Sequence, residues 1–202
     1  MLAMTRRVLL HPFDFYEELQ SRGAARLSHA LWIVAATIVA RFLSLYSVSY
    51  IFQAREAFEI SLIVEVVVIV IPWATWAVAN WGVSTIMDGE GKFVEVAVGS
   101  AYAFVPYTIF AFPIALLSNI LTEDDKFLYG VIIGFVYVWA AFLLLMQVKI
   151  LHDFEWSKMF FVTLLSVFGM LVIWFILLLL YGLIDQGLSF AVNLYKEMNL
   201  RI

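Results

Sequence analysis

Five apolar blocks, each close to the roughly 20 residues that cross a lipid bilayer, dominate this chain. They lie over 29–51, 60–82, 94–118, 127–149 and 159–184. In hydrocarbon the backbone must satisfy its own N–H and C=O groups, and within one segment only a helix does that. The blocks therefore predict an all-α integral membrane protein with five transmembrane helices. Composition agrees: 64% of residues are hydrophobic and 14% charged, where a soluble domain is nearer half and a quarter. At 202 residues one domain is expected. Without cysteine there is no disulfide, thiolate metal site or cysteine nucleophile. A net charge of −4 with no basic run gives no sign of a nucleic-acid partner.

The termini read differently from the blocks. Arg6 and Arg7 precede only Val8-Leu9-Leu10 before His11-Pro12, too short a stretch for a signal peptide. The first block is then the insertion signal. Residues 12–22 predict an amphipathic helix, with Pro12 at its first position and Asp14, Glu17 and Glu18 toward its positive end. Its face of Phe15, Tyr16 and Leu19 is assigned to the membrane surface, the alternative being a solvated arm. Residues 185–202 place Leu188, Ala191, Val192 and Tyr195 at helical spacing, but Asp185, Gln186, Asn193, Lys196 and Glu197 interrupt them. That pattern predicts a separate interfacial or partner-docked helix rather than a sixth span. The chain thus divides into an N-terminal segment 1–28, a membrane domain 29–184 and a C-terminal helix 185–202.

Orientation follows the short-loop cations. Arg6, Arg7, Arg22, Arg26, Lys92, Lys149 and Lys158 fall on the N-terminal side, against Arg55, Lys126, Lys196 and Arg201 opposite. This places the N-terminus in the cytoplasm and the C-terminus outside.

One stretch carries a recognisable pattern. Span two ends Ala79-Asn80-Trp81-Gly82; Met87-Asp88-Gly89-Glu90-Gly91-Lys92-Phe93 follows; span three contains Ala101-Tyr102-Ala103-Phe104-Val105-Pro106-Tyr107. Pro12-Phe13-Asp14-Phe15-Tyr16-Glu17-Glu18-Leu19 leads toward span one. The pattern resembles the YIP1 family in its bacterial branch, over most of the chain and with its specific motif over 79–108. The resemblance implies five spans, a cytoplasmic N-terminus and no catalytic residues. Eukaryotic members bind small GTPases in vesicle traffic, a role that does not transfer to a bacterial cell. Some bacterial members accompany carbohydrate import systems, which implies an accessory subunit beside ABC transporter permeases. Within the motif, Trp81, Gly82, Asp88, Gly89, Gly91, Tyr102 and Pro106 are the structural positions. Gly89 and Gly91 suit a tight turn with positive φ. Pro106 and Pro113 remove donors from span three, giving a packing kink or a ligand-facing bend, with Tyr102 and Tyr107 supplying hydroxyls.

Arg41 sits within span one, with Thr37 and Ser44 on its face, and Glu65 sits in span two. Charges there are costly, so they suggest function; the readings are a structural ion pair, a polar groove, a partner contact or an arginine snorkelling to headgroups. Gly130 and Gly134 form a GxxxG in span four, and Ala36, Ala40 and Ser44 a small stripe on span one. Both are assigned to packing inside the bundle, with dimerisation as the alternative.

Enzyme chemistry is not expected. Glu17-Glu18 with Arg22 matches the EExxxR string of CAAX-type proteases, but His11, His29 and His152 lie at membrane edges or outside. HExxH, GxSxG and phosphate-binding glycine loops do not occur, and no cofactor is implied. A transporter needs polar residues lining several spans; Arg41, Glu65, Asn80 and Gln147 read as too few and too scattered. The reading is a non-catalytic accessory or scaffold protein in contact with the bilayer and a membrane-protein partner, with a small transporter or channel as the alternative.

Overall fold

A computed structural model describes residues 2–21, 23, 25–53 and 60–200, and among these there is no strand. Arg22, Arg55, Arg201 and most of the polar loop after span one lie outside the described residues. The chain opens with two short helices, α1 (Leu2–Leu10) and α2 (Pro12–Ser21). Pro12 starts α2, and its ring disfavours helical backbone at His11, separating the pair. An ion pair between Arg7 and Glu18 ties them together. The sequence reading gave α1 no helix.

The spans follow as α3 (Leu27–Ser47), α4 (Leu62–Ile86), a broken third span of α5 (Phe93–Tyr102) and α6 (Val105–Leu117), α7 (Lys126–Leu151) and α8 (Trp156–Leu200). Five segments are long and apolar enough to cross a membrane. Their outer surface is apolar, with Leu43, Ile63, Val67, Phe135 and Leu164 exposed, while Glu65, Asn80, Gln147 and Ser166 are buried. That inversion of the soluble pattern is what a hydrocarbon solvent requires. The protein is a multi-pass membrane protein.

The third span breaks for a local reason. Pro106 has no N–H to donate to the Tyr102 carbonyl, four residues back. The chain closes two tighter turns instead, Ala103 N–H to the Ser100 carbonyl at 3.2 Å and Phe104 N–H to the Ala101 carbonyl at 3.1 Å. Pro72 and Pro113 stay inside α4 and α6.

α3 packs along α5 and α6, α4 bridges α5 and α8, and α7 lies against α6, α5 and α2. The main core joins the N-terminal helices to the bundle: Val8, Phe15, Tyr16 and Leu19 pack with Ile33, Tyr102, Leu143 and Met146. The assigned membrane-surface face of α2 is thus buried in protein. Tyr16 is fully buried, its hydroxyl donates to the Gly99 carbonyl at 3.3 Å, and Gln20 donates to the Leu151 carbonyl at 3.2 Å.

Two further expectations are corrected. No break separates span five from the tail: α8 runs 45 residues without interruption. From Phe175 to Glu197 none of its residues is buried. Aliphatic and aromatic residues across 185–195 keep the helix going where the polar interruptions suggested an end. Nor do Gly130 and Gly134 pack inside the bundle. A Cβ built on either meets nothing within 4 Å, because that face of α7 points away from its neighbours. The small stripe on α3 divides, Ala40 being buried and Ala36 exposed.

Candidate functional site

α3 and α4 run antiparallel, and the geometry brings their two charges together. Arg41 Nε donates to Glu65 Oε2 at 2.9 Å. Glu65 lies in the first turn of α4, where the positive end of the helix dipole favours a carboxylate. Its side chain is 1% exposed, and that of Arg41 is 24% exposed. Arg41 Nη1 donates to the Tyr107 hydroxyl at 3.2 Å. The break before α6 sets the rotation that presents Tyr107, and the Tyr107 ring stacks on Tyr137 of α7 at 6.0 Å between centroids. One turn below Arg41, the hydroxyls of Thr37 and Thr108 are 2.8 Å apart.

Above the guanidinium lies a cavity of about 280 Å³, opening at the end of the bundle opposite α1 and α2. Arg41, Ser44, Gln53, Tyr107, Tyr129 and Tyr137 supply its polar lining. The Phe52 and Tyr129 rings meet at its rim, with centroids 4.6 Å apart.

A second polar group sits in the bundle's interior. Trp76 donates to Gln147 at 3.3 Å, Gln147 to Asn80 at 3.3 Å, and Asn80 to Ser166 at 3.2 Å. Ser166 closes the chain on the Val162 carbonyl at 2.8 Å. Asn80 and Gln147 are therefore joined rather than scattered, and the chain links α4, α7 and α8. In hydrocarbon such bonds contribute roughly 0.6 to 2 kcal/mol each. The Trp73 and Trp174 indoles are similarly bonded, to the Ala97 carbonyl at 3.0 Å and to Thr75 at 3.1 Å.

The motif residues build the N-terminal end of the bundle. Positive φ falls on Asp88, at 57°, not on Gly89 or Gly91. Those two glycines are needed for close approach. A Cβ on Gly89 would lie 2.7 Å from His152 Nδ1, and one on Gly91 would lie 2.8 Å from the same ring and from the Leu151 carbonyl. Gly91 N–H donates to His152 Nδ1 at 3.3 Å. His152 is 1% exposed, stacks on Phe154, and burial pushes its pKa down to about 4. Tyr102 is buried against Phe15 at 4.7 Å, and its hydroxyl lies 3.5 Å from Met4 Sδ. Trp81 meets Phe93 edge-on at 5.7 Å, while Gly82 has open space around it. Pro106 ends α5 as described. Tyr102 and Tyr107 thus face opposite ends of the break, one toward the N-terminal helices and one toward Arg41.

Sequence reasoning paired Arg41 with Glu65 but missed the tyrosines over them, the Asn80–Gln147 junction and His152. Tyr107 could have been found: it lies beside the proline that turns α6. The other contacts join elements about 60 residues or more apart and leave no local signal.

No curated protein and no solved structure matches the chain. A family model described as the Yip1 domain matches residues 6–184, which take in α2, the glycine turn, the broken span and the Arg41 site. The chain belongs to the YIP1 family.

Proposed function

We propose that the protein is a non-catalytic accessory or scaffold subunit that works by holding another membrane protein. The observation that carries this reading is α8. Its first half is anchored on α4 through Asn80–Ser166 and Thr75–Trp174, and its second half presents unburied Leu, Phe, Val and Tyr side chains. At about 1.5 Å per residue a 45-residue helix is about 67 Å long, against a hydrocarbon core of about 30 Å. The end of α8 therefore reaches beyond the bilayer with apolar side chains that favour a protein neighbour.

The described cations support a cytoplasmic N-terminus. Arg6, Arg7, Arg26, Lys92, Lys149 and Lys158 cluster at that end, against Lys126 and Lys196. Arg6→Cys and Lys196→Cys, introduced singly, should react with an impermeant thiol reagent from opposite sides of the membrane. We place the protein in a plasma membrane, beside ABC import permeases, on the strength of the family resemblance.

Gentle detergent extraction tests the role. Recovery of an import permease in fixed stoichiometry with the full chain, and its loss on deleting 186–202, is the expected result. A homo-oligomer that alone moves solute across vesicle membranes would overturn it in favour of a small transporter, the reading that the cavity over Arg41 favours. That cavity ends in the bundle, where Thr37, Val34, Ile33 and Ala101 are buried beneath it.

A further inference from the structure

The ion pair at Arg41 is built asymmetrically. Glu65 is shut away at 1% exposure, while 24% of the Arg41 side chain remains open. Arg41 lines the cavity; among the described residues no carboxylate does. A ligand there meets the positive member of the pair and is shielded from the negative one. A pair serving only to neutralise two buried charges has no need of a 280 Å³ space over one of them, since packed side chains would cover both at less cost.

The rest of the wall agrees with an anion. Guanidinium carries five N–H donors in a fork that matches carboxylate or phosphate oxygens. Glu65 Oε2 and the Tyr107 hydroxyl each take one. The hydroxyls of Tyr107, Tyr129 and Tyr137 add donors around the same space, with Ser44 beside them. Toward the rim the wall is mostly apolar, with Val48, Phe52, Ile60 and Ile114 beside Gln53 and Tyr129. Arg41 lies six residues before the end of α3, about 9 Å along the helix, so the charged floor is deep and the apolar collar shallow. The volume is at the small end of ligand sites.

From this arrangement we infer that the cavity binds a small anionic amphiphile, its carboxylate or phosphate oxygens on Arg41 and the tyrosine hydroxyls and its apolar stem along the collar. The same chemistry is supplied by a free short-chain acid or by the head of an anionic lipid. The inference goes beyond the accessory role and does not depend on it.

The test uses the full chain in discs of phosphatidylcholine, with hexanoate as the probe and hexanol and hexylamine as matched controls. Hexanoate should raise the unfolding midpoint in a saturable way, and neither control should. Tyr107→Phe with Tyr137→Phe should weaken the hexanoate effect by at least about tenfold, the loss expected when even one hydrogen bond to a charged group is removed. Ala111→Phe, which fills the cavity without touching the ion pair, should abolish it. Discs containing phosphatidylglycerol then identify the source by native mass spectrometry. One lipid retained and displaced by hexanoate assigns the site to a lipid head; hexanoate binding without lipid retention assigns it to a free acid. Equal stabilisation by hexanoate and hexanol, no response to hexanoate, or a hexanoate effect that survives Ala111→Phe overturns the inference.

Discussion

The two ends of this bundle solve opposite problems. At the N-terminal end, α1 and α2 are drawn into the core, Gly89 and Gly91 let a histidine ring lie against backbone, and Tyr16, Tyr102 and His152 are all at least 99% buried. At the opposite end a charged side chain stands over open space and α8 leaves its neighbours behind. Both ends carry titratable and aromatic groups. At one they are spent on closure, and at the other they remain addressable. Most of the motif stretch, residues 81–102, serves the closed end, where it builds a seat for the N-terminal helices. The open end depends on Arg41, Glu65 and three tyrosines, of which only Tyr107 lies within the motif stretch.

The largest expected effect comes from breaking the Arg41–Glu65 pair at the open end. Arg41→Leu removes the guanidinium that Glu65 accepts from at 2.9 Å and should cost up to about 3–5 kcal/mol, read as loss of folded protein after a thermal challenge in detergent. Glu65→Leu should cost less, because the Arg41 head can turn into the cavity. The double change should recover part of the loss. Strictly additive losses would mean that the two residues do not act as a pair.

Acid should strike the closed end next. His152 is held neutral, with its pKa moved from 6.5 to about 4. Between those values the unfolded chain binds the proton and the folded one does not. Stability from this group is therefore complete above pH 6.5 and lost as pH falls toward about 4, at about 1.4 kcal/mol per unit, or about 3 kcal/mol in all. His152→Gln still accepts from Gly91 but does not titrate there. The stability gap between the original chain and this variant should narrow as pH drops; a gap that is constant from pH 7 to 4 would remove His152 from the account.

Glycine replacement sharpens the same contrast. Gly91→Ala drives a Cβ against the Leu151 carbonyl, backbone that cannot swing aside, and should cost about 1–3 kcal/mol. Gly130→Ala and Gly134→Ala meet open space and should stay within about 0.5 kcal/mol in detergent. A large loss at either α7 position would show that a neighbour covers that face.

Much of the fold was legible because it depends on local composition. Apolar run length located every span to within a few residues at most ends, and the cost of charge in hydrocarbon singled out Arg41 and Glu65, with an ion pair as one of the readings. What escaped was what depends on assembly. Gly89 and Gly91 looked like turn residues because glycine serves both turns and close approach, and only the approach of His152 separates the uses. Asn80 and Gln147 looked isolated because helical spacing relates residues within one span and not between two. Phe15, Tyr16 and Leu19 looked like a membrane-facing stripe because a stripe does not say whether lipid or protein will cover it. The tail looked like a separate helix because polar residues interrupt it, although none of them breaks a helix.

The uninterrupted length of α8 has one more consequence. A helix with no joint transmits angle as well as reach: each residue turns the chain by about 100°. The direction in which Leu188 and Tyr195 face is therefore geared to the angle at which Ser166 meets Asn80 inside the membrane. Adding or removing a single residue between them would leave every side chain of the tail in place along the sequence and yet aim its apolar surface about a quarter-turn away. The register of the bundle is thus written into the aim of that surface.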